Sequence, residues 1–239
     1  MRSIFVLVIS ALLSYGSTIT VAAAANMSFA LPKLIQAFQK DREGIEIESI
    51  YASSGKLAAQ IQKGAPYHIF LSADIEYPKK LYRQGFTKTR PLVYAKGKLV
   101  FLSRHIDKLE DLPKLTRIAI ANPKTAPYGK AAKEVLEHLG LWPKVRPKLI
   151  FGESVAQTFF YATKAADGGF VAASALFGPK SREQLGGYAL EVPKSLYSPI
   201  EQGGVILKGA PKEAMEFFCF LFSPEGVKIL ESFGYRCDD

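Results

Sequence analysis

One stretch decides the fold of this chain: IEIESIYASSGKLAAQIQKGAP, at residues 45–66. Its first half alternates apolar and polar residues, which predicts a β-strand over 45–52. Its second half places Leu57, Ala58 and Ile61 on one face of a helix by i, i+3, i+4 spacing. Between them stand Ser53 and Ser54, where a helix N-cap belongs. The stretch therefore predicts a strand that leads directly into a helix.

The serines at this helix start have two interpretations. As a cap, a serine stabilises a helix by about 1 kcal/mol. As part of an anion site, the same position offers unpaired N–H groups with partial positive charge, and the hydroxyls add donors. This stretch alone does not decide between a cap and an anion site.

Strand and helix patterns also alternate on both sides of this stretch. Strands are predicted at 18–25, 68–74, 98–103, 116–122, 147–152, 168–174, 188–192 and 203–207, and helices at 26–41, 75–85, 128–140, 154–168, 211–222 and 224–234. This alternation is typical of a parallel sheet covered by helices. Proline-containing stretches at 89–97 and 191–204 are predicted to cross between two lobes. Lobe 1 would then comprise 17–95 plus 199–239, and lobe 2 would comprise 96–198.

The first residues predict a secretory signal peptide. Arg2 is followed by the apolar run IFVLVISALL, and the small residues Ser14 and Gly16 come soon after it. The run is too short to span a membrane comfortably. We expect residues 1–16 to be removed. Because no cysteine lies near the cleavage point, we expect a soluble periplasmic protein rather than a lipid-anchored one.

The composition is that of an ordinary globular protein, with 48% hydrophobic and 22% charged residues among 239. The net charge of +9 is typical of a solvated basic surface or of a protein that attracts anions. Nucleic acid is not an expected partner, because the lysines are scattered and no arginine-rich or aromatic RNA-binding motif is present. Cys219 and Cys237 fit no metal-binding spacing, and whether they pair is left open.

The chain offers little support for an enzyme. YASSGK lacks the G-x-S-x-G pattern of a serine-type hydrolase. None of His68, His105 and His138 is predicted at a strand end with a carboxylate partner. No cluster of histidines or carboxylates predicts a cation site. Asp74 is expected to cap the following helix, with a carboxylate ligand as the alternative.

Four predicted helices follow a strand and begin with small, polar or amide residues, in AAANMS, YASSGK, NPKTAPYGK and FGESVA. In open α/β sheets, ligands bind outside the carboxyl ends of the strands, where such helices begin. Each helix start carries about half a positive charge. Four starts that converge would match a dianion, which favours the anion site over the plain cap.

The segment YASSGKLAAQIQKGAPYHIFLSAD (51–74) resembles the periplasmic molybdate-binding proteins of ABC transporters. The similarity continues in AAANMSFALPKL, PLVYAKGKLV, NPKTAPYGKAAKEVLEHLG, SPIEQGGVIL and FLFSPEGVKILESFGY, and it covers almost all of the chain after residue 16. The resemblance implies a type II periplasmic binding fold, with two α/β lobes joined by two crossings and a ligand cleft between them. It implies capture of molybdate or tungstate without a cofactor, then delivery to a membrane permease. We expect a monomer.

The resemblance also implies which residues hold the oxyanion. Asn26 stands where other members carry a serine, and its amide can donate as a hydroxyl does. Ser54 offers its hydroxyl and N–H, Tyr128 its hydroxyl or N–H, and Val155 its N–H. Ala172 stands where some members have a tyrosine, so that contact is not expected. No lysine, arginine or metal cation is expected in the shell. Sulfate, with the same charge and shape but shorter bonds, is the competing ligand.

Overall fold

The computed structural model describes residues 17–40, 42, 44–178 and 187–237, so the predicted signal peptide lies outside the described residues. The strands are β1 Ser17–Ala24, β2 Ile45–Ala52, β3 Ile69–Leu71, β4 Leu92–Gly97, β5 Leu99–Ser103, β6 Ile118–Ala121, β7 Leu149–Gly152, β8 Gly168–Ala172, β9 Tyr188–Glu191 and β10 Ile200–Ile206. The α-helices are α1 Leu31–Gln39, α2 Ser54–Gln62, α3 Glu76–Arg83, α4 Pro127–His138, α5 Trp142–Val145, α6 Val155–Lys164, α7 Glu213–Phe220 and α8 Pro224–Ser232. Short 3-10 helices include Ala25–Ser28 and Ala173–Phe177.

In the described part of the chain, the strands form two five-stranded sheets. The first has the order β2-β1-β3-β10-β4, with β1 parallel to β2 and β3, and β10 antiparallel to both of its neighbours. The second has the order β7-β6-β8-β5-β9, with β6 parallel to β7 and β8, and β5 antiparallel to β8 and β9. The predicted class of two α/β lobes is confirmed, although each sheet is mixed rather than purely parallel.

Helices cover both faces of the first sheet. On β1, Ile19 and Val21 pack in a core with α1, α7 and α8, whereas Ala22 packs in a second core with α2 and α3. A strand covered on both faces has apolar residues on both sides, which explains the run VAAA at its end. The first lobe is therefore a three-layer α/β/α unit.

The second sheet is covered in the same way. Phe159 and Ala162 of α6 pack against Val100 and Val171 on one face. On the other face, α4 and α5 pack against a core that includes Ile118 and Ile120. Both lobes therefore have helices that begin just after their parallel strands, which is the arrangement that positions a ligand site.

The first crossing between the lobes differs from the prediction, whereas the return falls within the predicted stretch 191–204. Residues 92–97 form β4, an edge strand of the first sheet, so the stretch 89–97 is mostly not a crossing. The chain passes to the second sheet at Lys98 and returns between β9 and β10. Pro91 precedes the edge strand, where a missing N–H is tolerated, and for this reason the proline did not mark a break in the sheet. The residue-by-residue division into lobes stays a prediction.

The first helical segment also differs from the prediction of one helix over 26–41. A 3-10 helix occupies Ala25–Ser28, and α1 begins only at Leu31. Pro32 lies in the first turn of α1, where its missing N–H removes no helical hydrogen bond. The break places Asn26 on a tight turn directly after β1.

The two cysteines are not joined by a disulfide. Cys219 is exposed on α7, and Cys237 is half-buried against the core of the first lobe.

Candidate functional site

A small cavity lies between the two lobes, where five strands end. Its volume is about 10 Å³. It is lined by Ala24, Ala25, Asn26, Ser53, Ser54, Ala73, Ala126, Pro127, Tyr128 and Val155. These residues end or follow β1, β2 and β3 in the first lobe and follow β6 and β7 in the second. The structure therefore brings together all four residues predicted at the helix starts.

The helix start after β2 contributes two buried hydroxyls. Ser53 is the N-cap residue of α2, but its hydroxyl makes no capping hydrogen bond and has no partner among the described residues. The Ser54 hydroxyl accepts the backbone N–H of Ala73 at 2.9 Å. A hydroxyl that accepts one hydrogen bond still has its proton to donate. Neither serine acts as a side-chain cap, and both hydroxyl protons are available to a ligand.

Asn26 is fixed by hydrogen bonds to both its side chain and its main chain. Its Nδ2 donates to Oε1 of Gln202 and to the hydroxyl of Tyr235, each at 2.8 Å. Its backbone oxygen accepts the hydroxyls of Ser174 and Tyr235, each at 2.9 Å. Since both amide N–H groups are engaged within the protein, the side chain has no donor left. The backbone N–H of Asn26, in the first turn of its 3-10 helix, has no acceptor within that helix.

Sequence reasoning missed the three partners of Asn26. Gln202, Tyr235 and Ser174 lie 176, 209 and 148 residues away from Asn26 along the chain. No local pattern marks them, because their contacts depend on how the C-terminal segment and the second lobe pack. Ser53 was predicted together with Ser54 as either a cap or a donor of an anion site, although the family resemblance did not place it among the oxyanion ligands.

Tyr128, in the first turn of α4, has a side chain that reaches the crossing between the lobes. A Cβ built on Gly97 would lie 2.2 Å from its hydroxyl oxygen, so only glycine admits the phenol there. Burial, and then the neighbouring tyrosines Tyr235, Tyr94 and Tyr197, raise the pKa of Tyr128 well above its ordinary value. The phenol is therefore neutral. Its position beside Gly97 favours the backbone N–H as the contribution of this residue to the cavity.

Val155 is the first residue of α6, so its N–H has no acceptor within the helix. The preceding residue, Ser154, is the N-cap, and its hydroxyl accepts the N–H of Gln157 at 3.3 Å. A valine offers no side-chain donor, and only its backbone can contact a polar ligand.

The described residues that line the cavity carry no charge. Asp74 lies outside it and accepts the N–H of Tyr77, in the first turn of α3, at 3.0 Å, although the N-cap position itself is held by Ile75 and not by Asp74. Burial raises the pKa of the Asp74 carboxyl, and the hydrogen bond from Tyr77 partly opposes this.

His68 accepts the N–H of Thr20 at 3.0 Å through Nδ1. Ala172, at the end of β8, is buried and is not a lining residue. Within the described ranges, no group of histidines, cysteines and carboxylates could hold a metal ion.

The rims of the two lobes touch beside the cavity. The N–H of Gly55 donates to the backbone oxygen of Thr125 at 2.9 Å, and Lys56 forms an ion pair with Glu153. A Cβ on Gly55 would lie 3.0 Å from that Thr125 oxygen and 2.6 Å from the Tyr77 hydroxyl. Glycine at position 55 therefore lets the lobes approach this closely. The contacts between the rims show that the two lobes are in a closed arrangement.

Known proteins resemble this chain over nearly its whole length. A family model described as bacterial extracellular solute-binding protein matches residues 19–236. The molybdate-binding protein ModA of Rhodobacter capsulatus is 38% identical over 225 residues, which are 90% of this chain and 87% of the relative. The solved periplasmic molybdate-binding protein of Azotobacter vinelandii has a TM-score of 0.85 and 34% identity, over 92% of this chain and 100% of that one.

The fold extends beyond molybdate-binding proteins. The sulfate-binding protein SubI of Mycobacterium tuberculosis has a TM-score of 0.76 but only 14% identity, over 93% of this chain and 88% of that one. This likeness shows a shared fold and nothing about the ligand. The matches are to solute-binding proteins, which confirms the prediction that the chain is not an enzyme.

Proposed function

Because the chain belongs to the bacterial extracellular solute-binding protein family, we propose that it captures molybdate or tungstate as the free oxyanion and delivers it to the permease of an ABC transporter. One observation carries this proposal: an uncharged, buried cavity at which the starts of α2, α4, α6 and a 3-10 helix converge from two lobes.

The donors around this cavity suit a tetrahedral dianion. The backbone N–H groups of Asn26, Ser54, Tyr128 and Val155 belong to first turns of helices, where no intrahelical acceptor exists. The hydroxyls of Ser53 and Ser54 add two more donors. Each α-helix start contributes about half a positive charge. Together they stabilise negative charge without a basic side chain.

A neutral lining also suits a ligand that must be released. A lysine or arginine in this buried place would be left unpaired whenever the anion departed, at a cost of several kcal/mol. Backbone N–H groups and hydroxyls carry a much smaller penalty, because they are uncharged. The same donors can therefore hold the dianion in the closed form and release it when the lobes separate.

The size of the cavity implies that the lobes move. About 10 Å³ is room for roughly one water molecule, which is less than a tetrahedral oxyanion requires. The lobes must therefore separate, pivoting at the two crossings, for the anion to enter, and the donors adjust around it when the lobes close. The ligand favours the closed arrangement through contacts to both lobes at once.

Selectivity against sulfate follows from the fixed spacing of the donors. Sulfate has the same charge and shape as molybdate but shorter bonds, so donors placed for the larger anion leave its oxygens poorly paired. Isothermal titration with molybdate, tungstate, sulfate and phosphate tests the proposal. We expect tight binding of molybdate or tungstate and weak binding of the other two. Comparable binding of sulfate would assign the chain to a different oxyanion, and no binding of any of the four would refute the function.

The location follows from the family and the leader. The family is extracellular, and the sequence predicts export through residues 1–16. In the ranges that the structure describes, no helix is long and apolar enough to cross a membrane. We place the chain in the periplasm as a monomer, with the membrane permease as its protein partner.

A further inference from the structure

The hydroxyl of Tyr235 lies in a buried hydrogen-bond network behind the cavity. Tyr235 follows α8 near the C-terminus, is 4% exposed and is not a lining residue. Its hydroxyl accepts Nδ2 of Asn26 at 2.8 Å and donates to the backbone oxygen of Asn26 at 2.9 Å. One phenol therefore fixes both the side chain and the main chain of the same residue.

The network continues from Asn26 to the second helix start. Oε1 of Gln202 accepts Nδ2 of Asn26, and Nε2 of Gln202 donates to the backbone oxygen of Ala73 at 3.4 Å. The N–H of Ala73 in turn donates to the Ser54 hydroxyl at 2.9 Å. A continuous path thus runs from Tyr235 through Asn26, Gln202 and Ala73 to Ser54, and it joins two of the proposed oxyanion donors.

From this geometry we propose that Tyr235 is a positioning residue, which sets ligand affinity by fixing the orientation of Asn26 without touching the ligand. This rests on the proposed function. The Oδ1 atom of Asn26 is buried without a partner among the described residues, so the amide is held through its nitrogen alone. If the hydrogen bonds of the amide nitrogen are weakened, the amide can rotate and bring its oxygen towards the cavity, where the oxygen would repel an anion. The backbone carbonyl oxygen of Asn26 would keep only the hydrogen bond that the Ser174 hydroxyl donates to it.

The state of the phenol supports this role. Burial raises the pKa of the Tyr235 hydroxyl above its ordinary value, and the hydrogen bonds with Ser174 and Asn26 only partly oppose this. The hydroxyl therefore keeps its proton across the physiological pH range. It can donate to one oxygen of Asn26 and accept from its amide at the same time.

A pair of isosteric substitutions tests the proposal. Tyr235→Phe removes the hydroxyl and keeps the ring. Tyr94→Phe is the matched control, because Tyr94 is 4% exposed in the same core cluster and its hydroxyl has no partner among the described residues. In titrations with sodium molybdate, we expect Tyr235→Phe to bind about tenfold more weakly than the parent and Tyr94→Phe to bind within twofold of it. Equal losses in both variants, or no loss in Tyr235→Phe, would overturn the positioning role.

A double-mutant cycle shows whether Tyr235 acts through Asn26. In an Asn26→Ala background the amide is gone, so Tyr235→Phe should weaken molybdate binding by less than threefold. A full tenfold further loss would mean that Tyr235 does not act through the Asn26 amide, but through its remaining hydrogen bond to the backbone oxygen of residue 26 or by another route, and would refute the proposal. Thermal unfolding of each variant confirms that the fold is retained. If the parent chain binds none of molybdate, tungstate, sulfate and phosphate, both this inference and the proposed function are refuted. If the parent binds molybdate but the affinities of the variants do not follow the order expected here, only this inference is refuted.

Discussion

Replacing Ser54 by alanine removes one proposed donor and leaves its backbone N–H in place. Ser54 is 1% exposed and lines the cavity, and its hydroxyl proton is available because the hydroxyl oxygen acts as the acceptor for the N–H of Ala73 at 2.9 Å. A hydrogen bond to a charged partner contributes about 1.5–3 kcal/mol. We therefore expect Ser54→Ala to raise the dissociation constant for molybdate by roughly ten- to a hundredfold.

The same substitution leaves the N–H of Ala73 without its acceptor, which lowers the free energy of unfolding by about 1–3 kcal/mol. Ser72→Ala is the control, since the buried Ser72 hydroxyl accepts the N–H of Asp74 at 3.2 Å but does not line the cavity. Chemical denaturation should show comparable losses for the two variants, whereas titration calorimetry should show weaker binding only for Ser54→Ala. If Ser54→Ala binds molybdate as tightly as the parent, the hydroxyl does not contact the anion and the reasoning from this helix start is wrong.

Two further substitutions separate side-chain contacts from lobe closure. Tyr128→Phe should leave the molybdate dissociation constant within twofold, because the phenol lies beside Gly97; a tenfold loss in calorimetry would place the hydroxyl on the anion. Gly55→Ala should bind about tenfold more weakly, because its Cβ would crowd the Thr125 backbone oxygen of the other lobe only when the lobes are closed, and overpacking costs about 1–3 kcal/mol; the Tyr77 hydroxyl, 2.6 Å away in the same lobe, is the end of a side chain that can move aside in both forms. Small-angle scattering should then show a smaller ligand-induced decrease in the radius of gyration than in the parent; an equal decrease would contradict this account of closure.

Much of the fold follows from local patterns in the sequence. The alternation over 45–52 and the helical spacing of Leu57, Ala58 and Ile61 predict β2 and α2, since both depend only on which face of an element is buried. The small polar residues after the strands marked where the helices begin. Those starts gather at one place because parallel strands of a sheet end at the same edge. Asn26 and Ser54 are thus neighbours at the edge of one sheet, and Tyr128 and Val155 at the edge of the other, whereas it was the family resemblance that implied that all four meet; they line one cavity.

The tertiary structure decided which hydrogen-bond donors of these residues remain available to a ligand. The sequence left Ser53 as either a cap or an anion-site donor, and the structure favours the donor because the buried hydroxyl makes no capping hydrogen bond. The Asn26 amide, expected from the sequence to donate to the anion, is engaged by Gln202 and Tyr235, which the chain brings from 176 and 209 residues away. Local patterns report the periodicity of an element and the conformation of its ends. They carry no information on which distant polar group meets a given donor, because that depends on how the two sheets and the C-terminal segment pack together.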